Sequence, residues 1–263
     1  MIWRAAPWLD GAFLDSFRNL VVRNGVTDPL GMLGTWMSES GLRPTAHNVN
    51  GDAAGLFQAM PATLNALGVM GGWRQFCTMS AAAQCDVAER YYRSYRGKLD
   101  SGALCYLATF LPAYLRRPLS TLTPDFVICA AKDGPLPWAY AANAVFDINH
   151  DYKITIGELS AAIVRNARGP VWLEARDNVA EALGMTPPPL PAPEPIAMHD
   201  LGTTLGIQEA LTSLRFDPGP LDGLPGASTR MALRAFQATR GLVADGIPGP
   251  LTRDALRAAM ASA

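Results

Sequence analysis

The sequence predicts an all-α protein made of two domains. Three observations carry that expectation. Apolar residues recur at helical spacing along the N-terminal part, and no β-branched run of four or more alternates as a half-buried strand does. A proline-dense segment then sets off a shorter C-terminal part that contains an internal repeat. A chain of 263 residues suits one large or two ordinary domains, and 49% hydrophobic content is enough for a real core.

Taken in order, Asp10 is placed to cap a first helix whose Phe13, Phe17, Leu20 and Val21 share one face. A second helix starts at Asp28-Pro29, where the first turn accommodates proline, and runs to about Ser40, with Gly41 to end it. Met60-Pro61 opens a third, short helix that stops near Gly68. Further helical patterns cover 80–97, 103–117, 136–144, 157–167 and 171–183. TPPPLPAPEPIA, residues 186–197, holds six prolines in twelve residues and forms neither helix nor central strand. The expected division is therefore a domain over 1–185, a linker over 186–197 and a small domain over 198–263.

The small domain opens with a helix near 203–214 that presents Leu205, Ile207, Leu211 and Leu214. DGLPGASTRMALRA (222–235) and DGIPGPLTRDALRA (245–258) then follow, identical at ten of fourteen positions. In each copy Asp-Gly and Pro-Gly make turns, and Thr229 or Thr252 stands near the start of an amphipathic helix. Three short helices result, without cysteine and with histidine only at the edge, which favours binding over metal chemistry.

Composition removes several function classes. The net charge of −1 arises from 19 Arg, three Lys and 23 acids, so a protein that neutralises a nucleic-acid backbone is not expected. Six Trp, seven Tyr and nine Phe exclude an acidic disordered chain. No apolar run approaches the ~20 residues that span a bilayer. MIWRAAPWLDGAF meets Pro7 and Asp10 before any apolar segment develops, so no signal peptide is expected. Cys77, Cys85, Cys105 and Cys129 form no CxxC pair and read as reduced thiols. His47, His150 and His199 are too scattered for a zinc site or a nucleophile dyad. The Arg-Tyr stretch 89–96 reads as arginine heads above buried tyrosines.

Glu39, in GTWMSESG, falls in the last turn of the second helix, where the helix dipole disfavours a carboxylate. Apolar neighbours such as Trp36 and Leu56 would add desolvation, and both effects raise a carboxyl pKa. A carboxylic acid protonated near neutrality is what glycosidic cleavage needs as general acid. A solvated helix-end carboxylate explains the same letters. The next segment, HNVNGDAAGLFQAMP (47–61), is a polar loop with Gly55 suited to positive φ and Gln58 offering an amide.

Glu39-Ser40-Gly41, about fifteen residues of loop, then Gly55-Leu56-Phe57-Gln58-Ala59-Met60-Pro61 and Thr63 together resemble the lytic transglycosylases of the lysozyme superfamily. The resemblance implies a lysozyme-like helical domain with Glu39 as catalytic acid and base. It also implies that Ser40, Gly55, Leu56, Phe57 and Gln58 line a peptidoglycan cleft, with Phe57 in place of the frequent Met. The family's Ala-Tyr-Asn motif is missing, and Tyr106 is the nearest substitute, a departure similar to a phage-associated branch. Cleavage of the MurNAc–GlcNAc β-1,4 bond to a 1,6-anhydro product is the activity implied. Asp52 is the candidate second carboxylate for an alternative, hydrolytic muramidase, although an Asx turn explains it too. A catalytically inactive wall-binding protein is the other alternative.

Asp147, Asn149, Asp151, Lys153 (through its carbonyl), Thr155 and Glu158 have the spacing of an EF-hand calcium loop, with Ile154 as apolar anchor and Tyr152 where glycine is usual. A structural Ca²⁺ is the expected ion, with no cofactor for catalysis; a plain turn or capping loop is the competing explanation. The C-terminal repeat, with Asp245-Gly246-Ile247-Pro248-Gly249-Pro250-Leu251-Thr252, looks like the three-helix peptidoglycan-binding domain of cell-wall hydrolases. That resemblance makes Asp222, Arg230, Phe236, Gln237 and Asp245 the expected wall contacts. The combined expectation is a monomeric phage endolysin or virion-associated enzyme. It would be made in the host cytoplasm, act on bacterial peptidoglycan, and neither bind nucleic acid nor insert into a membrane.

Overall fold

The computed structural model describes residues 3–49, 51–149, 151–187 and 200–261. The chain divides into two compact units, residues 1–167 with 171–187 and residues 188–263 with 168–170. Most of the proline-rich segment, and with it His199, lies outside the described residues, as does His150. No helix of the described residues is long and apolar enough to cross a membrane.

The first unit starts with α1 (Gly11–Asn24), capped by the Asp10 carboxylate on the Phe13 amide and closed by Gly25 at φ +61°. Helix α2 (Pro29–Ser40) is capped by Asp28 on the Gly31 amide and closed by Gly41 at φ +62°. Both helices end where a residue without Cβ allows the left-handed turn. Two short helices, α3 (Pro61–Ala66) and α4 (Gly72–Phe76), lead to α5 (Ala81–Tyr92), which packs against α1. Helix α6 (Gly102–Phe110) packs against α2. It ends sooner than the periodicity predicts because Pro112 forces a break, and a 3-10 turn takes over at Pro112–Arg116.

Two strands that alternation did not predict, β1 (Val127–Ala130) and β2 (Lys153–Thr155), pair antiparallel with Cys129 opposite Ile154. At four and three residues they are too short to display a period. Between them lies α7 (Pro137–Asn143). Helix α8 (Ile156–Asn166) follows and packs on both α2 and α6, and α9 (Gly169–Leu183) buries Trp172, Ala175, Val179 and Ala180. Phe13, Phe17, Trp36, Phe57, Phe76 and Tyr92 form an aromatic core, with successive ring centroids 5.5–6.1 Å apart from Phe17 through Trp36 and Phe57 to Phe76. All four cysteines carry free thiols.

The second unit consists of α10 (Thr204–Ser213), α11 (Ala227–Thr239) and α12 (Pro250–Ala261). Leu201, Ile207, Leu211, Leu233, Phe236, Leu256 and Met260 make its core. Phe216 and Phe236 meet edge to face at 5.5 Å.

Candidate functional site

Glu39 sits in the last turn of α2, partly open to solvent but closely surrounded by protein. Desolvation raises its pKa from the usual 4.5 to about 7, although a hydrogen bond from the Tyr106 hydroxyl of α6 favours the ionised form. Tyr106 is buried, and desolvation followed by the charge of Glu39 pushes its own pKa well up, so it acts as a donor. Tyr92 of α5, fully buried, accepts a hydrogen bond from Trp36 Nε1 at 3.3 Å and also feels the Glu39 charge. A carboxyl in this setting holds or releases a proton near neutrality, with a tyrosine hydroxyl beside it.

The loop after α2 is fastened to that helix end. Ser40 Oγ donates to the Leu56 carbonyl at 2.8 Å and to the Trp36 carbonyl at 2.9 Å. Gly55 has φ +72°, and a Cβ there would lie 2.3 Å from the Phe76 ring and 2.4 Å from Gln84 Oε1. Only glycine fits. Gln84, buried in α5, accepts from the Leu56 amide at 2.9 Å and donates to the Pro44 and Phe76 carbonyls at 2.7 Å each. A lone glutamine in the alanine run of α5 was the only sequence signal for this clasp.

This geometry corrects part of the expected cleft lining. Leu56, Phe57 and Ser40 are buried, with Phe57 in the aromatic core and the Ser40 hydroxyl bonded to backbone. Their side chains hold the loop against α2 instead of facing a ligand. Gln58 is half-buried at φ +48°, and its Nε2 donates to the Gly55 carbonyl at 3.0 Å. Asp52 is exposed and shares a 3.0 Å hydrogen bond with His47 Nε2, while the His47 ring stacks on Trp73 at 3.8 Å. His47 is thus a tie within this loop.

The loop from Asp147 to Glu158 brings three carboxylates together. Oxygens of Asp147, Asp151 and Glu158 lie within 4.8 Å of one another, the first buried, the second exposed and the third half-buried. Asp147 accepts from the amides of Asp151 at 3.1 Å and Tyr152 at 2.9 Å, and Asn149 Oδ1 accepts from Asp151 at 2.9 Å. Tyr152 adopts φ +65°, the turn conformation that glycine usually supplies. The cluster is capable in principle of coordinating a metal ion. Thr155 is not free for it: its hydroxyl caps α8 on the Glu158 amide at 3.2 Å and donates to Glu158 Oε2 at 2.9 Å. Lys153 lies in β2, exposed, with its amide on Asp151 Oδ1 at 3.0 Å. The loop also borders the Glu39 site. Phe146, just before Asp147, meets the Tyr106 ring edge to face at 5.5 Å, and Asn166 at the end of α8 donates to Ser38 Oγ at 2.8 Å.

In the C-terminal unit the repeat extends further than its letters. Gln208 of α10 and Gln237 of α11 are both buried and make the same bonds. Nε2 of each donates to Asp222 or Asp245 Oδ1 (2.9 and 2.8 Å), to the Leu224 or Ile247 carbonyl (3.1 and 3.0 Å) and to Thr229 or Thr252 Oγ1 (3.2 and 3.0 Å). Oε1 of each accepts from Gly223 or Gly246 (2.9 and 2.8 Å). The equivalence of Gln208 was hidden because it stands fourteen residues before its Asp-Gly turn and Gln237 only eight. Phe236 and Gln237 therefore serve the interior, not the wall, and Asp222 and Asp245 each commit an oxygen to their own turn. Arg230 is exposed and bonds the Pro225 carbonyl at 3.1 Å. Beside it Leu224 and Ile247, at matching repeat positions, are 65% and 62% exposed.

Residues 205–256 match the family model of a peptidoglycan binding domain. The chain thus carries a C-terminal peptidoglycan-binding domain, inside the all-helical unit just described. No curated protein and no solved structure matches the chain.

Proposed function

We propose that the chain is a peptidoglycan-cleaving glycosidase of the lytic transglycosylase type, with Glu39 as its acid and then its base. One observation carries this reading: a carboxyl with a pKa near 7, bonded by Tyr106, at a helix end clasped to the Gly55–Gln58 loop. Glu39 gives its proton to the oxygen joining MurNAc to GlcNAc. The resulting carboxylate then takes the proton of the muramoyl C6 hydroxyl as that oxygen closes on C1, giving the 1,6-anhydro sugar. Tyr106 orients the carboxyl and steadies its ionised state between the two steps. Asp52, exposed and held by His47, supports a single-carboxylate route over a water-activating pair. The C-terminal domain keeps the enzyme on the wall and raises local substrate concentration. Arg230, Leu224 and Ile247 are its outward-facing candidates.

Within the same reading, Asp147, Asn149, Asp151, Glu158 and the Lys153 carbonyl hold a structural Ca²⁺. The donor set is all oxygen and the Tyr152 backbone already makes the required turn. The ion would brace Phe146 against Tyr106 and α8 against α2. Adding Ca²⁺ to the metal-stripped protein is expected to raise its melting temperature, and Asp147→Asn to abolish that rise. Equal melting with Ca²⁺ and with a chelator would count against the ion.

The deciding experiment is mass spectrometry of sacculi digested by the wild type and by Glu39→Gln. Anhydro-muropeptides from the wild type alone are expected. Products heavier by one water would replace the transglycosylase with a muramidase, and unchanged release by Glu39→Gln would remove Glu39 from the chemistry.

A further inference from the structure

Glu39 and Tyr106 belong to different helices, and what sets their distance is two turns away. Gly31, Thr35 and Glu39 follow one another at four-residue steps along α2, as Gly102 and Tyr106 do along α6, so two matching stripes face each other. At one end the backbones touch: a Cβ on Gly102 would stand 2.7 Å from the Gly31 carbonyl oxygen, and one on Gly31 would stand 2.6 Å from the Gly102 nitrogen. Asp28 bridges the two helix starts, accepting from the Gly31 amide at 2.8 Å with Oδ1 and from the Gly102 amide at 3.1 Å with Oδ2. Thr35, fully buried, donates to the Gly102 carbonyl at 2.8 Å and the Gly31 carbonyl at 3.1 Å. The next rung of the ladder is the Glu39–Tyr106 bond itself.

We propose that Asp28, Gly31, Thr35 and Gly102 are positioning residues, a register lock between α2 and α6 that places the Tyr106 hydroxyl on the Glu39 carboxyl. Side chains at the crossing would push helix axes apart by more than a hydrogen bond tolerates, because packed helices slide or separate as rigid bodies. Loss of the Thr35 hydroxyl would remove the side-chain hydrogen bond from the middle of α2 to the α6 backbone, leaving each carbonyl only its own helical partner, and loosen the register without adding bulk. The inference rests on the reading of Glu39 as the acid only for its consequence in catalysis; the lock itself is testable without substrate.

The test is the titration of Glu39, read as the infrared carboxyl band that disappears in Glu39→Gln. Among the described residues, the titratable groups facing Glu39 are Tyr106 from α6 and Tyr92 from α5; from α8 the neighbour of this helix end is the neutral Asn166. Tyr106→Phe is expected to raise the midpoint above about 7, since the lost bond favoured the carboxylate. Thr35→Val and Gly102→Ala are expected to raise it in the same direction, and Thr35→Ser to restore it. Thr35→Val added to Tyr106→Phe is expected to move it no further. Turnover on sacculi is expected to fall about 10- to 100-fold in Thr35→Val, as for a slight misplacement of a reacting group. Wild-type midpoints in folded Thr35→Val, or additive shifts in the double variant, would overturn the lock. Unchanged turnover with shifted midpoints would leave the lock standing and count against Glu39 as the acid.

Discussion

Two polar sites, one in each unit, are satisfied in opposite ways. In the C-terminal unit Gln208 and Gln237 each make four internal bonds, and every donor hydrogen and the carbonyl oxygen are engaged in holding a turn to a helix. In the N-terminal unit Glu39 is closely surrounded with a single tyrosine bond that does not offset its desolvation. A saturated network gives a rigid scaffold, so recognition has to come from what the turns expose. A carboxyl left under-compensated costs stability when ionised, and that cost is what makes it a proton donor near neutral pH.

Four variants break or sharpen this contrast. The largest effect is expected from Glu39→Gln, which should reduce wall cleavage by roughly 10²- to 10⁴-fold, the usual worth of a general acid, while wall binding stays as in the wild type. Next comes the pH dependence of stability. Folding raises the Glu39 pKa from 4.5 to about 7, so the fold favours the protonated form. Its stability is full below pH 4.5, declines as pH rises to about 7 and stays lower above that. Glu39→Gln removes this deficit: the gain over wild type should be near zero at acid pH and approach roughly 3 kcal/mol at alkaline pH. Denaturant unfolding on both sides of the window checks it, and a gain independent of pH would contradict the sign.

Gln237→Ala should destabilise the C-terminal domain by about 2–3 kcal/mol, because the Gly246 amide loses its acceptor and the Asp245 turn its donor. Gln208→Ala should do the same for the first copy. Turnover on a soluble glycan should be untouched by either, as read in a coupled binding and cleavage assay. The smallest stability change, within about 0.5 kcal/mol, belongs to Leu224→Ser with Ile247→Ser, both exposed. Sedimentation with sacculi should nevertheless show weaker retention. Full retention would move wall recognition away from these turns.

Much of the helical framework was legible in the sequence because it is written locally. Asp10 and Asp28 as caps, Gly41 as a stop and the stripe of Phe13, Phe17 and Leu20 are i to i+4 relations. The strands at 127–130 and 153–155 and the α4 turn of helix were not, since elements this short form through tertiary pairing. The placement of Glu39 at a helix end was readable, but its partner needed two helices brought together by glycines 71 residues apart. From sequence alone Phe57, Ser40, Phe236 and Gln237 look like ligand contacts because they stand in recognisable motifs. A motif records which residues a fold requires, and at these four positions the requirement is packing and internal hydrogen bonding.

The proposed cleavage depends on the protonation of one side chain. The most direct measurement is the pH titration of Glu39 itself, by carboxyl ¹³C chemical shift in labelled full-length protein, assigned by its absence in Glu39→Gln. The expected midpoint is about 7, rising when Tyr106 is replaced by Phe. A midpoint near 4.5, the ordinary value for a solvated glutamate, would contradict the assignment of Glu39 as the acid of this protein.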